Sequence, residues 1–507
     1  MTLVNFFGKM VYDKTSIFME NVHIMIKNKK VFHRGLALIL ATGLLFMENM
    51  TVFATRDYKA EAEARKEMPI ESNQIKDWPQ GPQLGAESAI LMEANTGTIL
   101  YAKNIDARLY PASITKILTA LIAVEKSNLD DMVTYSYESV HSINWREDAN
   151  MGINVGDQIT MEQSLYGLLV GSANEAAYSI AQHISPDGTI EGFAKIMNLK
   201  ATTLGCTNSN FITPNGIHDD NHYTSAHDMA LIAQAFFSNE LLCKMSSTTS
   251  YQVPQTATQP REDMIVWAKS KLLPGKQYYY EDLVGTKTGY TTQARQTLVS
   301  CAERNGLKLI CVIMNEEAPN QFEDTVALFE YGFQNFEPYS IADHDTKYTV
   351  NHTGFFTSDS DFFGSSKPLM ELDSSDYIVL PINASFEDTV SELSYTDLGE
   401  NEIARVNYTY NDVPVGYGSL VPANDTPATF DFSTGQVITT PAPESESKTV
   451  YINVKNIIIG IIVVFFAVML LLMLKTFIVN TRKSRRRHRI MSKRRGDTRY
   501  LDWKGFK

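Results

Sequence analysis

The stretch PASITKILTALIAV, residues 111–124, decides how the rest of the chain is read. Pro111 and Ala112 lead into Ser113, and Ile117, Leu118, Leu121, Ile122 and Val124 then recur at helical spacing. This pattern predicts a helix that opens at Ser113 and packs one face on a core. Residues three apart on a helix share a face, so Lys116 comes within reach of the Ser113 hydroxyl. A buried lysine beside other cations gives up its proton readily and can act as a base. The free N–H groups of a first helical turn favour negative charge developing at Ser113. Ser113-Ile-Thr-Lys116 alone is equally the sequence of a capped surface helix.

Working outward, a second helix begins at Thr160-Met-Glu-Gln163, a capping box. Its apolar set is Leu165, Leu168, Leu169, Ala173, Ala176, Ala177, Ile180 and Ile184, so Ser172-Ala-Asn174 belongs to it. Ser172 and Asn174 can relay a proton and hold a substrate amide. Lys287-Thr288-Gly289 reads as a strand able to bind an anionic group, and Gly289 lets substrate backbone lie close. Asn95-Thr96-Gly97 joins the apolar runs Ala89–Met92 and Thr98–Tyr101. Glu303-Arg-Asn-Gly306 joins Gln296–Ala302 to Leu307–Ile313. Both are hairpin signals. A helix is expected near Asp324–Phe333. Helices interleaved with antiparallel strands make an α/β (α+β) unit of about 250 residues.

The chain has 507 residues, 44% hydrophobic and 20% charged, which fits two or three globular units. Net charge is −13, yet residues 480–507 hold twelve Lys/Arg against two Asp, leaving about −23 on the remainder. An acidic body with a basic tail excludes whole-protein nucleic-acid binding and places the tail in another compartment. Lys27, Lys29, Lys30 and Arg34 precede an apolar run, Gly35–Met47, and Val52-Phe53-Ala54 has the small residues of a cleavage site. Residues 1–54 are therefore read as an extension plus signal peptide, with an uncleaved signal anchor as the alternative. Ile457–Leu474 is uncharged and long enough to span a bilayer, and the basic residues after it stay in the cytoplasm. The expected organisation is a linker at 55–83, a catalytic unit at 84–336 and a small β-rich unit at 337–423. A spacer follows at 424–450, then a membrane helix at 451–479 and a tail at 480–507. Cys206, Cys243, Cys301 and Cys311 lack C-x-x-C spacing and read as small buried thiols. His218 and His222, with Asp219, Asp220 and His227, read as a solvated loop rather than a metal site. No cofactor is expected.

The three motifs together are the set of penicillin-binding proteins and serine β-lactamases. Ser88–Lys126, Leu165–Ala177, Phe193–Phe211, Pro214–Ala230 and Gly285–Ala294 resemble the S11-type D,D-carboxypeptidases, low-molecular-mass penicillin-binding proteins. The resemblance implies a penicillin-recognising fold, a five-stranded antiparallel sheet with a helical subdomain. It implies Ser113 as nucleophile, Lys116 as general base, and Ser172 and Asn174 completing the centre. Lys287 and Thr288 would address the substrate carboxylate, and the N–H groups of Ser113 and Tyr290 would form an oxyanion hole. The implied substrates are peptidoglycan stem pentapeptides, the implied inhibitors β-lactams, and the C-terminal helix attaches the enzyme to the membrane. A D,D-endopeptidase, a β-lactamase and a non-catalytic peptidoglycan-binding protein are the alternatives. Four positions depart from the family pattern. Arg295 follows Ala294 where a glycine is usual, and Ala268 and Ser270 stand where an asparagine pair is common. Gln321 stands where an arginine usually binds the terminal carboxylate. Arg295 is therefore expected to receive that carboxylate, the alternative being a solvated residue at a strand turn.

Overall fold

Five antiparallel strands form the central sheet: β1 (Ser88–Glu93), β2 (Ile99–Lys103), β3 (Leu283–Thr291), β4 (Arg295–Arg304) and β5 (Leu307–Glu316). Their order is β2-β1-β5-β4-β3, so β3 is an edge strand. The computed structural model describes residues 56–345, 347–348, 370–396, 398–399 and 401–422. The expected signal segment, spacer, membrane helix and basic tail lie outside the described residues.

Side chains alternate across a strand, and both faces of this sheet are covered. Ile90, Met92, Val299, Ile310, Val312 and Met314 enter one core. Ala89, Leu91, Leu298, Leu309, Cys311 and Ile313 enter a second core on the other face. A strand between two cores must be apolar at every position, hence the unbroken runs AILM at 89–92 and LICVIM at 309–314. The β4–β5 turn has Asn305 and Gly306 at φ of 52° and 82°, and Arg304 opposes Leu307. This is the two-residue turn whose twist matches the flanking strands. Cys301 and Cys311 are buried, and all four cysteines are free thiols.

The longer helices are α1 (Tyr58–Arg65), α2 (Lys116–Lys126), α3 (Met161–Leu169), α4 (Asn174–Ile184), α5 (Ile190–Thr203), α6 (Ala226–Phe237) and α7 (Asn320–Asn335). Helices α2 to α6 fill the first core, and α7 covers the second. A second antiparallel sheet follows α7 directly. Its strands are β6 (Phe336–Ser340), β7 (Met370–Leu372), β8 (Tyr377–Pro381), β9 (Val390–Ser394), β10 (Ala404–Tyr410) and β11 (Val413–Pro422). They run β6-β8-β11-β10-β9, with β7 on β11. Ile378, Leu380, Val406 and Leu420 share the second core with α7. The Tyr377 hydroxyl donates to Glu93 Oε1 at 2.8 Å. The β-rich unit is thus built on the back of the central sheet, opposite the face that carries Ser113.

Three expectations need correction. The 55–83 segment is not a free linker over its described length. Asp57 caps α1, Ile70 and Trp78 are buried, Trp78 Nε1 donates to Leu100 O at 2.9 Å, and the Ser72 hydroxyl accepts from Ala102 N at 3.1 Å. The segment covers the open edge beside β2, which would otherwise be free to pair with another chain. Its apolar anchors are too widely spaced to register as a periodic pattern. The single helix read across 160–184 is two helices: Thr160 forms the capping box, but the chain breaks between α3 and α4. Ser172 sits in that break at φ 58°. Ser113 does not open an α-helix; it lies in a 3-10 turn, Ala112–Thr115, that precedes α2.

Candidate active site

Ser113 lies on a tight turn wedged between the helical subdomain and strand β3. The Thr297 hydroxyl on β4 donates to Pro111 O at 2.8 Å and ties the turn to the sheet. A side chain at Gly289 would meet Thr297 Oγ1 at 2.3 Å and Ser113 N at 2.9 Å. Gly289 was expected to admit substrate backbone; it first admits the Ser113 turn itself. On the other side, Gly216 has φ 79°, and a Cβ there would fall 1.8 Å from Ala112 O. We expect Gly216→Ala to cost on the order of 3 kcal/mol, since it combines overpacking with a left-handed backbone. Urea unfolding checks this, and a loss below about 1 kcal/mol would show that the loop can yield.

Lys116 is fully buried. Its Nζ lies 2.9 Å from Ser113 Oγ, 2.7 Å from Asn174 Oδ1 and 2.8 Å from Asn215 O. Burial, and then the charges of Lys287 and Lys269, hold its pKa well below the usual lysine value. A neutral amine has two N–H groups and one lone pair. Asn174 Oδ1 and Asn215 O can only accept, so they take both N–H groups. The lone pair is left for the Ser113 hydroxyl, which is the arrangement of a general base poised on a nucleophile.

Lys287 is also buried. Its Nζ donates to Ser172 Oγ at 3.0 Å and to Thr288 O at 2.8 Å. Burial, with Lys269 nearby, pulls its pKa down to about 7. A carboxylate arriving beside it would favour the charged form. Ser172 reaches this lysine because the break between α3 and α4 turns it inward, while Asn174 opens α4 and faces Lys116. Thr288 is half-buried, and the Tyr290 ring is exposed on β3. The structure thus brings Ser113, Lys116, Ser172, Asn174, Lys287, Thr288 and Gly289 to one place.

Arg295 is the exception. Its Nε and Nη2 donate to Glu317 Oε1 and Oε2 at 2.7 Å and 2.6 Å. A guanidinium that already grips one carboxylate-bearing side chain with its fork has little left for a substrate carboxylate. Neither expectation for Arg295 describes this geometry: it is not solvated, and it is not a free cation.

Sequence reading missed several groups. Asn215 acts through its backbone carbonyl, which no side-chain pattern reveals, although Asn215-Gly216 is a turn signal. Glu175, next to Asn174, is buried, and its Oε1 accepts from Met151 N at 2.7 Å and Gly152 N at 3.2 Å. Burial raises its pKa to about 7. It pins the loop that Asn174 N also reaches through Ala149 O at 2.8 Å. His222 is no loop residue in water. Its Nδ1 accepts from Ile212 N at 2.9 Å and Thr213 N at 3.2 Å, so Nε2 carries the proton and faces Thr115 Oγ1 at 3.0 Å. Burial lowers its pKa to about 4, and the neutral ring props the Asn215 loop against the Ser113 turn.

The chain is similar in sequence to known proteins. Residues 75–318 match the family model described as D-alanyl-D-alanine carboxypeptidase. A Bacillus subtilis D-alanyl-D-alanine carboxypeptidase, DacF, is 31% identical over 269 residues, covering 50% of this chain and 64% of that protein. The Haemophilus influenzae protein DacA is 33% identical, and again 64% of its length is spanned. The Mycobacterium tuberculosis protein DacB2 is 31% identical, with 84% of its length covered. Among solved structures, the Streptomyces K15 DD-transpeptidase is 29% identical, covering 50% of this chain and all of that one, at a TM-score of 0.47. With the serine, lysine and asparagine of the motifs assembled around one hydroxyl, and with a relative matched over most of its length, the chain belongs to the D-alanyl-D-alanine carboxypeptidase family, peptidase S11.

Proposed function

We propose that this protein is a serine D,D-carboxypeptidase that removes the terminal D-alanine from peptidoglycan stem pentapeptides. The observation that carries the reading is the coordination of Lys116, whose two N–H groups have acceptor-only partners and whose lone pair meets Ser113. In this mechanism Ser113 Oγ attacks the carbonyl carbon of the penultimate D-alanine, and its proton passes to Lys116 Nζ. The N–H groups of Ser113 and Tyr290 receive the negative charge that builds on the carbonyl oxygen. The C–N bond then breaks, and the leaving amine takes a proton relayed through the Ser172 hydroxyl and the buried lysines. Water hydrolyses the resulting ester and restores Ser113. Lys287 and Thr288 hold the terminal carboxylate, which is what distinguishes this peptide end from an internal bond. A β-lactam presents a similar carbonyl and carboxylate and would acylate the same serine.

The same reading includes export by the N-terminal signal and anchoring by residues 451–479, with the catalytic unit outside the cytoplasm and the basic tail inside it. Among the described residues no helix is long and apolar enough to cross a membrane. Incubating the full chain with a stem pentapeptide and with cross-linked muropeptides, and identifying products by mass, tests the activity. Release of D-alanine from the pentapeptide is expected. Cleavage of cross-links alone would make it an endopeptidase, and release of neither product would end the enzymatic reading.

A further inference from the structure

Strand β3 carries Lys287 to Tyr290, yet it is an edge strand, held by ladder hydrogen bonds to β4 on one side only. Its C-terminal end turns directly into β4, with Thr291 opposite Arg295 and Tyr290 opposite Gln296. Arg295 closes this turn at φ 54°, a conformation that glycine adopts freely and arginine does not. Such strain persists where the surroundings over-determine it. Here they do. Glu317 holds the guanidinium at two points, and the Tyr58 ring lies with its centroid 3.9 Å from Arg295 Cζ. The Tyr290 hydroxyl is 3.4 Å from Arg295 Nη1. Both members of the ion pair are largely buried, with side chains 17% and 11% exposed. Tyr58 is itself fixed, because α1 is capped by Asp57 and fastened at its far end by Arg65 Nε donating to Gly85 O at 2.8 Å.

We infer that Tyr58, Arg295 and Glu317 form a brace that sets the hairpin end of β3 against the nucleophile turn, making Arg295 a positioning residue that acts through Tyr290. The inference rests on the carboxypeptidase reading and deepens it. The N-terminal segment, remote in sequence from every motif, thereby reaches the strand that supplies an oxyanion donor. Small displacements of such a donor slow the chemistry without preventing folding.

The test uses the full chain and three readouts: the acylation rate constant with a fluorescent penicillin, and turnover of a D-Ala-D-Ala peptide as the free acid and as the C-terminal amide. Arg295→Gly relieves the strained backbone while removing the brace, so the melting temperature should stay near wild type. Acylation should slow about tenfold, with an equal fall in turnover of both peptides. Arg295→Lys, which keeps charge and strain but cannot make the two-point pair, should lose about as much. Tyr58→Leu should lose less, and adding it to Arg295→Gly should cost nothing further, since the two residues act as one unit. Wild-type acylation by Arg295→Gly would overturn the brace. A loss confined to the free-acid peptide would also overturn it, by making Arg295 a direct carboxylate ligand. An unlabelled wild-type chain would bring down the enzymatic reading itself, whereas labelled wild type with unchanged variants brings down only the brace.

Discussion

Ser113→Ala should abolish covalent labelling by penicillin and reduce peptide turnover by on the order of 10⁴–10⁶-fold. The size of the effect follows from chemistry rather than packing. The Ser113 side chain is half-exposed on a turn whose shape is set by Gly289, Gly216 and Thr297, and removing one oxygen disturbs none of these. The variant should therefore fold and melt as wild type. What it loses is the atom that forms the ester. Lys116 then has no proton to take, and the amide faces only water, which is neither positioned nor activated by that lysine. Intact-mass measurement after penicillin treatment checks the result: wild type gains one adduct, and peptide mapping places it on Ser113. An adduct on another residue, or labelling that survives in Ser113→Ala, would reject the assignment.

Lys116→Ala should slow acylation by about 10²–10⁴-fold, the usual worth of a general base. This variant also leaves Asn174 Oδ1 and Asn215 O without their donor, and each such loss costs about 1–3 kcal/mol. A melting curve must therefore accompany the kinetics. Lys116→Arg separates a base from a mere cation, because a guanidinium keeps its charge at any working pH and cannot accept the Ser113 proton. A base role predicts that arginine fails as badly as alanine; recovery of acylation by arginine would remove the base role. The pH profile gives a second check. A base works unprotonated, so the depressed pKa of Lys116 means that acylation rises with pH through that pKa and does so well below the range of an ordinary lysine. A lysine that captures a carboxylate works as a cation, so on the proposed role of Lys287 this capture should weaken as pH rises past about 7, its pKa in the empty site. Turnover of the free acid should be bell-shaped, and an amidated peptide should lack the alkaline fall. An alkaline limb identical for both peptides would remove Lys287 from carboxylate recognition.

The amino-acid sequence by itself determined the inventory of chemistry and the grammar of the sheet. Ser113, Lys116, Ser172, Asn174 and Lys287 were legible because each motif fits within four residues, the distance over which local backbone geometry makes neighbours. The apolar runs Ala89–Met92 and Leu307–Ile313 announced strands, and Asn305-Gly306 announced its turn, for the same local reason; that both faces of the sheet are covered came from the tertiary structure. Tertiary structure decided what those residues became. Ser172 faces Lys287 only because the chain breaks between α3 and α4, and a mid-helix serine could not have done so. Asn215 contributes a carbonyl, a group every residue carries, so only the close approach that Gly216 allows makes it special. His222 is a buried prop, although its sequence neighbours Asp219 and Asp220 suggested solvent. Arg295 was expected to meet a substrate, but Glu317, twenty-two positions away, and Tyr58, from a segment read as linker, reach it first. A lone arginine in sequence carries no record of its partner, because ion pairs and ring contacts are set by where distant strands and helices end.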